Sequence, residues 1–272
     1  MASITGYTGC VIEPIDALIL FVLGTIVGSF LNALAFRYRT GRSMWGRSAC
    51  LSCGTTLRAH HLVPILSYVG LLGKCASCSA KISPQYPLVE IAAGIIAVLA
   101  WVSAAGSPVA FTLVLGFFTL LLFIALYDMR HTIIPDAFVY AAALVALACA
   151  SLGLSPSGSV AGALIAGVAL GAPVALLWAL SRGRLIGLGD AKLFFASGAF
   201  LGLSSGVAAF LLSFWIGALA GLFLIALGSF FRARNGVTMK SEVPFGPFIV
   251  LSTAIAYFGH IGLYDLLIFP AF

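Results

Sequence analysis

Charge is what this sequence has least of. Only 8% of its 272 residues are Asp, Glu, Lys or Arg, against 62% hydrophobic, and the mean hydropathy is +1.15. A soluble domain carries about 25% charged residues, so a water-soluble globule is excluded. The net charge of +6 is modest, and no nucleic-acid partner is expected. Alternation of polar and apolar residues is also missing, which excludes the strands of a membrane barrel. The first apolar run, Pro14 to Phe36, has no basic residue before it and no small-residue cleavage pattern after it. It therefore reads as a membrane helix and not as a signal peptide.

What is present is a succession of uncharged runs rich in Ala, Leu and Gly. Each approaches the length of about 20 residues that crosses a hydrocarbon core of roughly 30 Å. A bilayer leaves backbone groups no partner but the chain itself, so such runs must be helical. The expected fold is an all-α integral membrane protein of about eight transmembrane helices in the lipid bilayer. They fall near 14–36, 86–104, 108–127, 136–152, 158–180, 190–205, 207–231 and 246–268. The sixth is short, roughly 24 Å of helix, and fits either a thin crossing or a re-entrant segment.

The placement of the basic residues favours a crossing. All fourteen fall between Arg37 and Lys81, at Arg130, at Arg182, Arg184 and Lys192, and at Arg232, Arg234 and Lys240. With eight crossings these places share one side, and the loops opposite hold no Lys or Arg. The positive-inside rule makes the basic side cytoplasmic and puts both termini outside. Three parts follow: a first membrane helix (1–36), a cytoplasmic loop (37–85) and a seven-helix core (86–272).

The eight acids are Glu13, Asp16, Glu90, Asp128, Asp136, Asp190, Glu242 and Asp265. Asp128 follows the third run, in ALYDMRHTIIPD, and Asp190 opens the sixth, in GLGDAK. Both sit at the cytoplasmic membrane boundary, on different helices. Asp136, after Pro135, reads as the N-cap of the fourth helix, and Asp190 could cap the sixth. Asp128 is harder to explain as a cap, because it ends a helix, where negative charge opposes the dipole. Two carboxylates brought together there would share a proton. One could then take a proton from an attacking water while the other donates to a peptide carbonyl, which is aspartic-protease chemistry. Gly187 and Gly189 would let a substrate strand approach closely. Lys192 fits a charge tuner, a substrate contact or an interfacial anchor. Arg130 and His131 read as a solvated turn, and His260 as a packed or interfacial residue.

The cytoplasmic loop contains Cys50-x-x-Cys53 and, after an interval, Cys75-x-x-Cys78. Two such hooks are the spacing of a tetrahedral four-thiolate zinc site. Gly54 and Ser79 follow the hooks and suit tight knuckles. Two disulfides are the competing reading, disfavoured in a reducing compartment. His60 and His61 could substitute as ligands, but four cysteines complete a closed, structural site. Cys10 and Cys149 read as packing residues.

Taken in order, GSFLNALAFR (28–37), the two cysteine hooks, ISPQYPLVE (82–90), YDMRHTIIPD (127–136), GLGDAKLFFASGAFLG (187–202) and VPFGPF (243–248) resemble the motifs of the bacterial type IV prepilin peptidases, nearly end to end. The resemblance implies an intramembrane aspartic endopeptidase of the bacterial inner membrane, with Asp128 and Asp190 as the catalytic pair. It would cut the basic leader from prepilins or pseudopilins on the cytoplasmic side, typically after a glycine. It implies also N-methylation of the new terminus with S-adenosylmethionine, associated with the cysteine-bearing region, to whose site Glu90 could belong. Arg130 stands where some members have a second acid. Glu90, Asp136 and Glu242 could read the leader's positive charge. A presenilin- or signal-peptide-peptidase-like protease shares YD and G-x-G-D but has no use for the cysteine loop or PFGPF. In a proton- or ion-coupled transporter the acids would carry protons or ions, but the zinc hooks would have no role; a zinc-stapled assembly scaffold without catalysis is a third reading.

Overall fold

A computed structural model describes residues 12–40, 46, 48–230 and 244–267. Cys10, Arg42, Arg47, Arg232, Arg234, Lys240, Glu242 and Val243 lie outside the described residues. Within them the chain is helical and forms no strand: α1 (Pro14–Arg37), a 3-10 turn at Ala59–Leu62, α2 (Leu66–Gly70), α3 (Gln85–Ser103), α4 (Pro108–His131), α5 (Asp136–Ser151), α6 (Val160–Ser181), α7 (Leu188–Phe230), α8 (Gly246–Phe258) and α9 (Leu263–Leu267). Five helices are long and apolar enough to cross a membrane: α1, α3, α4, α6 and α7 over Leu188–Phe223. Helices α5 and α8 are shorter but equally apolar. Two compact units form, residues 1–115 and 116–272, with the division inside α4.

In the first unit α1 packs along α3. Apolar side chains gain little by leaving lipid for one another, so membrane helices associate through close packing of small residues. Gly24 and Gly28 supply the close approach here. A Cβ on Gly24 would stand 2.6 Å from the Ala93 carbonyl oxygen, and one on Gly28 only 2.8 Å from Glu90 Cα. Buried Asn32 donates to the Tyr86 carbonyl at 3.2 Å. The stretch GSFLN thus fastens α1 to the first turns of α3.

In the second unit α6 lies against α7 in the same way, and Gly198 comes so near α6 that a Cβ would stand 2.8 Å from the Ala166 carbonyl. The break expected near residue 206 lies instead at Gly202, where φ 75 and ψ 179 interrupt α7. Only glycine adopts that conformation without strain. The Phe200 carbonyl just before the break accepts the Ser155 hydroxyl at 2.7 Å, which gives this buried acceptor a donor. Ser204-Ser205-Gly206 stays helical with Leu170 packed against Gly206, whereas the loop at Pro156 and Ser157 presses directly on Gly202. Phe117 stacks on Phe200 at 3.9 Å in the centre of this unit, both fully buried.

Candidate active site and metal cluster

Helix α4 continues to His131, so Asp128 stands inside its last turn. The residue is 4% exposed, and its Oδ2 accepts the N–H of Gly246 at 2.9 Å. Gly246 is the first residue of α8. The carboxylate that opposes its own helix dipole therefore faces the positive end of another. Phe245 packs against Phe214 at a ring separation of 5.0 Å, which seats the start of α8. A Cβ on Gly246 would lie 2.7 Å from Asp128 Oδ2. Gly246→Ala should accordingly displace the carboxylate. The cost of about 1–3 kcal/mol for a disrupted buried hydrogen bond corresponds to a roughly ten- to hundredfold loss of any activity that Asp128 performs. Kinetics of the purified variant check this, and an unchanged rate would separate Asp128's position from its function.

Asp190 occupies the third position of α7 and is 9% exposed. Its Oδ2 accepts the N–H of Gly187 at 3.0 Å, the reciprocal half of a capping box. The capping expectation is met in this form. A Cβ on Gly187 would crowd Asp190 Oδ2 at 3.0 Å, and one on Gly189 would strike Ile134 Cβ at 2.9 Å. Both glycines thus let the backbone fold tightly around the carboxylate. The turn after Asp128 and the start of α7 at Asp190 are drawn together by two contacts, Asp136 to Lys192 and Ile134 to Gly189.

Asp136 does not cap α5. Pro135 is the N-cap, without a side-chain hydrogen bond, and the Asp136 carboxylate reaches across to Lys192 at 2.7 Å. The Lys192 ammonium also lies 5.5 Å over the Tyr140 ring. Of the three roles open for Lys192, the geometry shows a tie. It joins the start of α5, just after the Asp128 turn, to the start of α7, just after Asp190. Ile134 against Gly189 makes a second contact between the same two segments.

His131 is not part of a solvated turn. Its ring lies 4.3 Å from that of Tyr127, and its Nε2 is buried with no hydrogen-bond partner among the described residues. Arg130 is exposed, and His260 stands exposed in the turn after α8. Cys149 is buried as expected of a packing residue. Glu90 is 6% exposed and accepts the Ile65 N–H at 2.7 Å. Glu90 is thus buried, whereas Asp136, paired with Lys192 through Oδ1, keeps about half of its side chain exposed.

The four loop cysteines come together as the spacing indicated. Their Sγ atoms all lie within 4.8 Å of one another, with Cys50 and Cys78 at 3.9 Å and no disulfide among them. The two hooks are built alike. Antiparallel bridges Ala49–Thr56 and Lys74–Lys81 close them, the N–H of Gly54 returns to the Cys50 carbonyl and that of Ser79 to the Cys75 carbonyl, both at 2.9 Å. Gly54 and Ser79 carry φ of 71 and 58, the left-handed turn that closes each knuckle. Four thiolates bonded to one ion at about 2.3 Å stand about 3.8 Å apart in a tetrahedron, so the cluster fits a metal with little adjustment. The surroundings favour thiolate at two of the four, while against the Ala80 backbone bond the other thiols and burial push Cys78 up to about 12. The hydroxyl and N–H of Thr55 hold the Cys53 thiol down at about 6, and the N–H groups of Cys78 and Ser77 draw Cys75 down.

Sequence reading missed Gly246 as Asp128's partner, Asp136 as that of Lys192, and Ile65 as that of Glu90. The first pair is separated by 118 residues and the second by 56, and nothing local marks either.

Comparison with known proteins adds the family context. The model described as Bacterial Peptidase A24 N-terminal domain matches residues 22–104, and that described as Type IV leader peptidase family matches 113–222. A protein of Pseudomonas putida named prepilin leader peptidase/N-methyltransferase is 31% identical, over 86% of this chain and 88% of its own. Proteins of the same name from Bacillus subtilis and Burkholderia pseudomallei are each 33% identical, over 88% and 90% of this chain and 92% and 86% of theirs. No solved structure matches.

Proposed function

Because the chain belongs to the prepilin leader peptidase/N-methyltransferase family, we propose that it removes the basic leader of type IV prepilins or pseudopilins by aspartic catalysis and then N-methylates the new terminus. The observation that carries this is that two buried carboxylates, Asp128 and Asp190, stand on different helices whose adjoining segments are joined through Asp136–Lys192 and Ile134–Gly189. Each is held by one backbone N–H through one oxygen, Oδ2, while no hydrogen bond to Oδ1 is made among the described residues. One carboxylate accepts a proton from water as it attacks the scissile carbonyl. The other, protonated, donates to the carbonyl oxygen, and their burial strengthens both interactions. The Lys192–Asp136 tie and the Ile134–Gly189 contact keep the two carrier segments in register, so that the separation of the acids is set before substrate arrives.

The cysteine cluster takes Zn2+ in this reading, held by Cys50, Cys53, Cys75 and Cys78. Four protein ligands leave no open position, so the ion orders the loop and does not hydrolyse. S-adenosylmethionine supplies the methyl group when bound, and Glu90 belongs with the methyl-transfer region through its hold on the loop at Ile65. In cells the protein sits in the inner membrane as eight crossings, with the acids toward the cytoplasm and both termini outside. Residues 1–36 act as the first crossing, 37–85 as the zinc-binding loop and 86–272 as the protease core.

Incubating the purified protein with a synthetic prepilin spanning the leader junction, with S-adenosylmethionine, tests the proposal. The expected product by mass spectrometry is the mature segment carrying one additional methyl group. A cut without methylation would leave a peptidase alone. An uncut substrate in lipid that keeps the helices folded would end the proposal.

A further inference from the structure

Glu90 fixes the depth of a segment that its place in a hydrophilic loop would put in water. Helix α3 has 19 residues, about 28 Å of helix, which barely equals the hydrocarbon thickness of roughly 30 Å. A helix with so little length to spare holds nearly all of itself in the bilayer. Glu90, about one and a half turns along, then lies roughly 8 Å inside the start of α3. Its carboxylate accepts the Ile65 N–H at 2.7 Å, so Ile65 lies at the same level. Ile65 is the N-cap of α2 and holds φ 60 and ψ −54. A β-branched residue keeps such a conformation only where its surroundings impose it, and the Glu90 bond is one such constraint.

From this point the chain runs through α2 and turns back toward Cys75. Leu66, Val69 and Leu72 are 70%, 62% and 83% exposed, and Leu62 and Val63 are exposed beside them. Among the described residues no other part of the unit covers them. Most backbone N–H groups here are met within the protein: those of Ile65, Leu66, Ser67, Val69, Leu71, Leu72, Gly73 and Lys74 donate to protein acceptors. Water does not require that of a loop, but hydrocarbon does. Exposed Arg58, Lys74 and Lys81 flank the segment, suited to anionic headgroups beside buried apolar side chains.

We infer that residues 62–72 form a lipid anchor, inserted at the boundary of headgroups and acyl chains and holding the cysteine cluster against the membrane surface. The occupant of its apolar face is lipid, because the Glu90 bond sets the face below the level at which α3 emerges. The inference rests on α3 crossing the bilayer and not on the catalytic reading.

Photo-crosslinking tests it. The full-length protein in phospholipid nanodiscs carries p-benzoylphenylalanine in place of Leu66, Val69, Leu72 or, as a control, exposed Thr56. After irradiation, phospholipid adducts are counted by mass spectrometry. Adducts several-fold above the Thr56 level are expected at the three apolar positions. Adducts at the Thr56 level, or adducts to protein or to an added prepilin in place of lipid, would overturn the inference. Glu90→Ala should lower the yield at Leu66 and Val69 several-fold, whereas Glu90→Gln, which keeps an acceptor for Ile65, should preserve it. An unchanged yield in Glu90→Ala would overturn the depth assignment.

Discussion

Cys50→Ser/Cys53→Ser is expected to leave the protein without its metal and its cysteine loop unfolded. Apolar burial cannot hold the loop together. Of the four ligands only Cys75 is buried, Cys53 and Cys78 are exposed, and the segment between the hooks turns its largest apolar side chains outward. The two bridged knuckles supply only a handful of backbone hydrogen bonds, each with a net contribution of about 1 kcal/mol. A structural zinc contributes about 10–16 kcal/mol near neutral pH, and in such sites binding energy is folding energy. Two serines in place of two thiolates remove half the ligands, so metal content should fall from about one zinc per chain to none. Limited proteolysis between Gly54 and Ser79 should rise sharply, while the helices of residues 116–272, which share no ligand with the loop, stay intact by circular dichroism. Metal analysis on the purified variant checks this. Retained zinc at the parental stoichiometry would refute the four-cysteine site.

Asp128→Asn and Asp190→Asn should each lower prepilin cleavage by about a thousandfold or more, within the range of general acid–base contributions. Neither should unfold the protein. Each carboxylate makes one structural hydrogen bond, accepting the N–H of Gly246 or Gly187, and an asparagine carbonyl can accept the same bond. Asparagine is nearly isosteric with aspartate, so the close contacts at Gly246 and Gly187 are also kept. What it loses is the ability to take or give the proton. Replacing one of two neighbouring acids also removes their repulsion, so thermal stability should stay level or rise slightly, the usual sign of a group kept for function at some expense in stability. Melting temperature and cleavage rate, measured on the same preparations, separate the two effects.

How much of this was legible in the sequence depended on range. The cysteine site was readable because its chemistry is local: each hook's spacing and its following Gly54 or Ser79 determine the knuckle. The helices were readable because long uncharged runs have one solution in lipid. The two acids stood out because charge is so rare in this chain. The partners of those acids were not legible. Asp128 looked misplaced at a helix end because its compensation, the N-terminus of α8, lies 118 residues later. Asp136 looked like a cap because capping is a local rule, and the rule yielded to an ion pair with Lys192 on another helix. The break in α7 fell at Gly202 and not at the serine-rich stretch after it, because a packed loop, not local propensity, decides where a buried helix parts. His131 was read as solvated from its charged neighbours, yet its ring turns inward onto Tyr127.

The pairing of Asp128 with Asp190 is tested most directly by one rate. Purified protein in nanodiscs is given a synthetic prepilin, and initial cleavage is followed for the parent, Asp128→Asn and Asp190→Asn at equal amounts of folded protein. The expected result is a cut at the leader junction by the parent and a loss of about a thousandfold in both variants. Cleavage by either variant at the parental rate would contradict the assignment of a shared catalytic pair.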